Sequence, residues 1–158
     1  MLGNPDLDPE KSVSYELGAS YDLQGWQMSA TYFNNQIDDM FEQRAVGIIG
    51  GRWYTQLTNV EKAETSGLEM AFQAPLHPSI TLSGNLTYMI ESENKETGEA
   101  LNLTPEWTAN ARVQWRVDDK LTTTLSVQYL SKQSYEIDST NSGTQYASSN
   151  TRFDLGAN

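Results

Sequence analysis

A chain of 158 residues with 37% hydrophobic residues and a mean hydropathy of -0.58 is poor in apolar side chains for a packed two-layer core, and no stretch approaches the ~20 apolar residues a membrane helix needs. A formal charge of -11 and a pI near 4.3 leave no basic surface for a phosphate backbone, so no nucleic acid is expected as a partner. Cysteine is absent, which removes disulfides, thiolate metal sites and cysteine nucleophiles together.

Met1-Leu2-Gly3-Asn4-Pro5 carries neither the charged nor the apolar region of an export signal, so an exported protein of this sequence is expected to begin further upstream. Residues 1–11 read as a Pro- and Asp-rich loop. From Ser12 to Asp22 the side chains alternate: Val13, Tyr15, Leu17, Ala19 and Tyr21 fall on one side, and small or polar residues on the other. A turn at Leu23-Gln24-Gly25 leads to a second alternating strand, with Trp26, Met28, Ala30 and Tyr32 opposed by Gln27, Ser29 and Thr31. The stretch from Gln36 to Arg52, with Gly47, Gly50 and Gly51, reads as a long loop. A third strand is expected from Trp53 to Ala74, with a bulge or kink near Glu61-Lys62 where the alternation loses phase.

Pro75-Leu76-His77-Pro78-Ser79 is the next short turn, followed by Leu82, Gly84, Leu86, Tyr88 and Ile90 alternating with polar neighbours. An acidic loop from Glu91 to Glu106 precedes the fifth strand, where Trp107, Ala109, Ala111, Val113, Trp115 and Val117 share a side. Val117-Asp118-Asp119-Lys120 turns into a sixth strand with Leu121, Thr123, Leu125, Val127 and Tyr129 together. A Ser-, Thr- and Asn-rich loop from Ser131 to Thr151 ends at Arg152, where a seventh strand begins.

In an up-and-down sheet this order places every short turn at one rim and every long connection at the other, the asymmetry of outer-membrane barrels. Trp107 and Trp115 lie eight residues apart, ~26 Å along a strand and ~20 Å along the membrane normal, which brackets an apolar band of ~25 Å between aromatic girdles. Tyr88 and Tyr129 are expected at the girdle of Trp107, and Tyr21 and Trp26 at that of Trp115. The expected fold is therefore all-β, an antiparallel up-and-down transmembrane β-barrel. Because seven strands are too few to close the smallest barrel, the chain is expected to be a fragment. A soluble β-sandwich also alternates, and stays open on pattern alone.

Specific residues resemble one family. Asn4-Pro5-Asp6-Leu7 with Pro9-Glu10, followed by Tyr15-Glu16-Leu17-Gly18, is similar to a passage of TonB-dependent outer-membrane receptors. Asn59-Val60, Lys62-Ala63 and Gly67-Leu68-Glu69 resemble a strand of the same family. Tyr88-Met89-Ile90 through Ser92-Glu93-Asn94-Lys95, Thr97-Gly98 and Pro105-Glu106 resemble its ferric enterobactin branch. Asp8 departs from the pattern, where the family often has lysine. The resemblance implies a 22-stranded barrel of the Gram-negative outer membrane, importing ferric siderophores of the catecholate type with energy from TonB. Residues 1–158 would be barrel only, with 1–11 an extracellular loop and 12–158 strands, periplasmic turns and extracellular loops. The plug domain and the TonB-contacting part would lie outside this stretch. Lipid, lipopolysaccharide and the receptor's own plug are the implied neighbours; a passive porin is the nearest rival.

No catalytic set, metal site or cofactor motif is read here, so an enzyme is not expected. His77, the only histidine, sits in a turn without metal-ligand spacing, and the glycines at 47, 50 and 51 lack the Lys-Ser/Thr of a phosphate loop. Arg44, Arg52, Trp53 and Tyr54 are the candidate ligand residues, because arginines and aromatic rings suit an anionic aromatic complex. Girdle and lipopolysaccharide contacts are the alternative for the same four. Glu16, Glu69, Arg112 and Arg116 are expected on the polar side, paired with carboxylates or basic groups of wall or plug. The acidic 91–106 loop is expected to stay clear of an anionic ligand and to be solvated or to hold a divalent cation.

Overall fold

The computed structural model describes residues 2–135 and 145–158. Its strands are β1 (Lys11–Leu23), β2 (Trp26–Ile49), β3 (Arg52–His77), β4 (Ile80–Asn94), β5 (Trp107–Arg116), β6 (Thr122–Leu130), β7 (Gln133–Tyr135), β8 (Gln145–Ala147) and β9 (Asn150–Ala157). Seven of them form one sheet in the order β1-β2-β3-β4-β5-β6-β9, with every pair antiparallel, while β7 and β8 pair separately.

Cross-strand rows keep the two faces distinct. One row runs Leu17, Tyr32, Leu68, Tyr88, Trp107, and another runs Tyr21, Met28, Phe72, Gly84, Ala111, Val127, Phe153. The rows between are mostly polar: one runs Ser20, Ser29, Ala71, Asn85, Asn110, Gln128 and Arg152, with Ala71 its single apolar member. Among the described residues the only buried apolar side chains are Ala63 and Ala74, whereas Leu17 is 78% and Leu155 82% exposed. Among the described residues nothing covers the apolar face, and no second sheet packs on it as in a sandwich. A sheet with an uncovered apolar face and a polar reverse is a section of membrane barrel wall.

Glycines let bulky residues lie flat on this wall. A Cβ at Gly67 would sit 2.5 Å from the Tyr88 carbonyl and 2.7 Å from the Phe33 ring, and one at Gly84 would sit 2.5 Å from the Asn110 carbonyl and 3.0 Å from the Phe72 ring. Each glycine is thus covered by the aromatic residue paired with it. Tyr88 and Trp107 stack with ring centroids 4.2 Å apart, the girdle pair expected from the sequence.

The short turns share one rim, the first and third where expected and the second cut from 75–79 to two residues because β3 continues through His77. Gln24 and Gly25 have φ of 53° and 84°, the two left-handed residues of a tight hairpin. Pro78-Ser79 joins β3 to β4 after a strand that runs on through Pro75. Asp118 Oδ1 accepts the Lys120 and Leu121 N–H groups at 2.7 and 2.9 Å and shapes the third turn.

The expected loop from Gln36 to Arg52 is corrected: β2 and β3 continue through it as a two-stranded ribbon that closes at Gly50 and Gly51, with φ of 59° and 79°. A Gly-Gly pair with both residues left-handed is a hairpin turn, and it outweighs the weak alternation of the 36–49 stretch. Near Glu61-Lys62 the ladder is interrupted without an insertion: Asp38 pairs with Lys62 and Met40 with Val60, while Asp39 between them has φ 58°. True register shifts lie elsewhere, at Ala45/Gly47, Ser66/Gly67 and Pro75/His77. The second leaves Ile90 as the extra residue of β4. In the 131–151 connection β7 and β8 pair antiparallel, which the sequence did not lead one to expect; residues 136–144 lie outside the described residues.

The facing is testable in the full-length protein. Cysteines at Leu86, Val113 and Leu125 are expected to react with a lipid-soluble label, and those at Asn85, Arg112 and Ser126 with a water-soluble one where the lumen is open. Reversal of the two sets would mean the register is wrong by one residue.

Candidate functional site

The candidate ligand residues all lie on the β2–β3 ribbon. Arg44 pairs with Gln56, Gly47 with Tyr54, Ile48 with Trp53 and Ile49 with Arg52. Strand alternation then gathers Arg44, Arg52 and Tyr54 on one side and turns Trp53 to the other, beside Ile48. Because the ladder gains no residue at Asp39, the arginine side continues the apolar face of Tyr32 and Leu68, and the Trp53 side continues the polar face. The four residues are therefore divided between two surfaces.

The two arginines also differ in availability. Arg44 Nε lies 3.0 Å from Glu42 Oε2, so its charge is already matched locally, while Arg52 at the turn is exposed and has no ion-pair partner among the described residues. The Trp53 side has no charge between Phe41 and Ala45 or between Trp53 and Asn59: it presents Phe41, Gln43, Ala45, Ile48, Trp53, Thr55, Leu57 and Asn59. Gln43 Nε2 donates to Thr55 Oγ1 at 2.8 Å across it.

The acidic connection is organised by its lysine. Lys95 Nζ lies 3.1 Å from Glu64, 2.5 Å from Glu91 and 3.0 Å from Glu93. Hydrogen bonds from the Asn34 amide and from Lys95 hold the Glu64 carboxyl below its ordinary range, and the three carboxylates push the ammonium of Lys95 up. An ammonium ion thus stands among these carboxylates, and no cluster disposed to hold a metal occurs among the described residues. Asn94 Oδ1 accepts the Glu96 and Thr97 N–H groups at 2.8 and 3.3 Å and fixes the turn that follows.

On the polar face, Glu16 stands opposite Phe33, Glu69 opposite Thr31 and Thr87, and Arg112 opposite Ser83 and Ser126. Glu16, Glu69 and Arg112 make no ion pair among the described residues, whereas Arg116 Nη2 donates to the Pro78 carbonyl at 3.1 Å. His77 Nδ1 lies 2.8 Å from Ser79 Oγ, inside the turn between β3 and β4. Asn59 was not singled out by chemistry in the sequence. Its amide Nδ2 donates to the carbonyls of Asp8 at 3.0 Å and Asp39 at 2.6 Å, and its Oδ1 accepts the Asp8 N–H at 2.9 Å. The signal that could have found it is the joint presence of the Asn4–Glu10 and Asn59–Ala63 passages, which touch in space.

Comparison with known proteins agrees with this geometry. The family model described as TonB dependent receptor-like, beta-barrel matches residues 1–158. The ferric enterobactin receptor PirA of Pseudomonas aeruginosa is 36% identical over an alignment of 136 positions that covers 84% of this chain and 18% of that protein. The ferrienterobactin receptor of Escherichia coli is 33% identical over 137 residues, with the same two shares of 84% and 18%. A crystal structure of a substituted ferric enterobactin receptor of P. aeruginosa (PfeA) in complex with enterobactin superposes with a TM-score of 0.75 at 34% identity, over 94% of this chain and 23% of that one. The chain thus spans about a fifth of the length of the curated relatives it matches. With its two-faced antiparallel sheet and a family match along its whole length, the chain belongs to the TonB-dependent receptor β-barrel family.

Proposed function

We propose that this chain is a stretch of barrel wall from an outer-membrane receptor that imports ferric siderophores of the catecholate type, with energy from TonB delivered through parts outside residues 1–158. The observation that carries the reading is the seven-stranded sheet with one uncovered apolar face, joined to the match with ferric enterobactin receptors. Its activity is transport, not catalysis. Residues 2–10 and the β2–β3 ribbon stand at the extracellular rim, and the three short turns at the periplasmic one. Glu16, Glu69 and Arg112 face the lumen with no ion pair among the described residues, which suits counter-charges on a plug domain or on other parts of the wall.

Ligand contact is assigned to the tip of this ribbon, where Arg52 and Tyr54 stand on one surface with Arg44 below them and Trp53 on the other, and Arg52 is the main charge because Glu42 already occupies Arg44. In the full-length receptor, Arg44→Ala with Arg52→Ala is expected to weaken binding of a ferric catecholate by ~1–3 kcal/mol, the range of lost charge-assisted hydrogen bonds. Glu93→Gln is expected to change little. Unchanged affinity in the double variant would take this ribbon out of the ligand site. For the transport reading itself, a strain lacking the full gene is expected to lose growth on a ferric catecholate as sole iron source; undiminished growth and uptake would refute it.

A further inference from the structure

The sheet narrows abruptly at one level. β1 ends at Lys11 opposite Asp38, and the β3–β4 ladder ends at Ala63 opposite Asn94, so above this level β2 and β3 continue as two strands alone. Asp39 lies at that level and is left-handed in the middle of a 24-residue strand, where the conformation is strained for a residue with a Cβ. An isolated two-stranded ribbon is marginal in water.

Residues 2–10 meet it there. Leu2 bridges Gln56 in parallel and its N–H donates to the Thr55 carbonyl at 2.8 Å, Gln56 Nε2 donates to the Gly3 carbonyl at 2.9 Å, and Asn4 Nδ2 donates to the Leu57 carbonyl at 2.8 Å. Glu10 Oε2 accepts the Phe41 N–H at 3.1 Å, two residues beyond the left-handed position. Between these contacts the Asn59 amide holds both backbone groups of Asp8 and the carbonyl of Asp39. One side chain therefore ties the strap, the ribbon and the bend together.

We propose that the ribbon is an arm hinged at Asp39, that residues 2–10 are the strap that sets its angle, and that Asn59 is the positioning residue of the latch. The connection ahead of β1 and the ribbon tip then move as one body. A force on that connection redirects Arg52 and Trp53, which lie beyond its hydrogen bonds to Thr55, Gln56 and Leu57. The strap and hinge act alike whichever ligand the receptor carries.

Hydrogen–deuterium exchange of the full-length receptor in detergent tests it. Asn59→Leu is expected to speed exchange of peptides within 40–58 about tenfold, as lost anchoring hydrogen bonds raise local opening, while β5 and β6 keep their protection. In that background, Leu2→Cys with Gln56→Cys, oxidised to a disulfide across the bridge, is expected to restore slow exchange and to lose it again on reduction. If Asn59→Leu does not assemble, Asn4→Ala with Glu10→Ala loosens the strap from its own side and is expected to give the same acceleration. Unchanged ribbon exchange in a folded variant, or a disulfide that fails to slow it, would overturn the strap.

Discussion

Placed alone in detergent-free buffer, the 158-residue chain is expected to aggregate, with essentially no folded monomer left in solution. Its apolar face presents Tyr15, Leu17, Tyr21, Met28, Trp115, Phe153 and Leu155 to the surroundings, all exposed. A contiguous apolar surface of that extent seeks lipid, detergent or another copy. The sheet also ends in β1 and β9, whose outer edges have no neighbour strand in the sheet order, and unpaired strand edges template further pairing. Sedimentation in buffer and in a mild detergent would decide: a soluble monomer with a sharp, reversible unfolding transition would be irreconcilable with a barrel wall.

A positive charge in the middle of the apolar face is the second large perturbation. Leu125 pairs with Val113 on one side and Leu155 on the other, and is half-exposed in a row that also contains Leu82. In the full-length protein, Leu125→Arg is expected to cost ~2–4 kcal/mol, the penalty for arginine near the bilayer midplane. Its neighbour Ser126 lies between Arg112 and Asp154 on the polar face, where Ser126→Arg is expected to be tolerated. Denaturant unfolding from lipid vesicles would give the two values; equal costs would show that the faces have been confused.

The barrel strands were legible because period-two alternation is itself the physical requirement of a wall with lipid on one side and water on the other. β1, β4, β5 and β6 follow from it nearly residue for residue. The ribbon was not legible that way. Beyond the membrane neither face must be apolar, so Met40, Phe41 and Glu42 need not alternate, and only the Gly50-Gly51 turn marks the hairpin. The candidate ligand set suffered from the same cause. Arg44, Arg52, Trp53 and Tyr54 suit an anionic aromatic ligand by side-chain chemistry as members of one loop, yet a strand sends adjacent side chains to opposite surfaces. Lys95 was visible as the lone cation of an acidic loop, but that Glu64 of β3 also reaches it depends on tertiary structure. The strap was hidden because its bonds run mostly to backbone groups, which any sequence supplies.

The cross-strand rows carry one further geometric consequence. Along the apolar face the outermost apolar side chain is Val13 on β1 but Phe153 on β9, and the row through Phe153 meets β1 at Tyr21. From Val13 to Tyr21 is ~26 Å of strand, and six interstrand steps span ~29 Å. The upper limit of the apolar zone therefore cuts obliquely across the rows at about 40°, the inclination of strands in a closed barrel. Residues paired side by side consequently sit at different heights in the bilayer: Tyr21 lies near the inner water boundary while Phe153, in the same row, lies near the outer one.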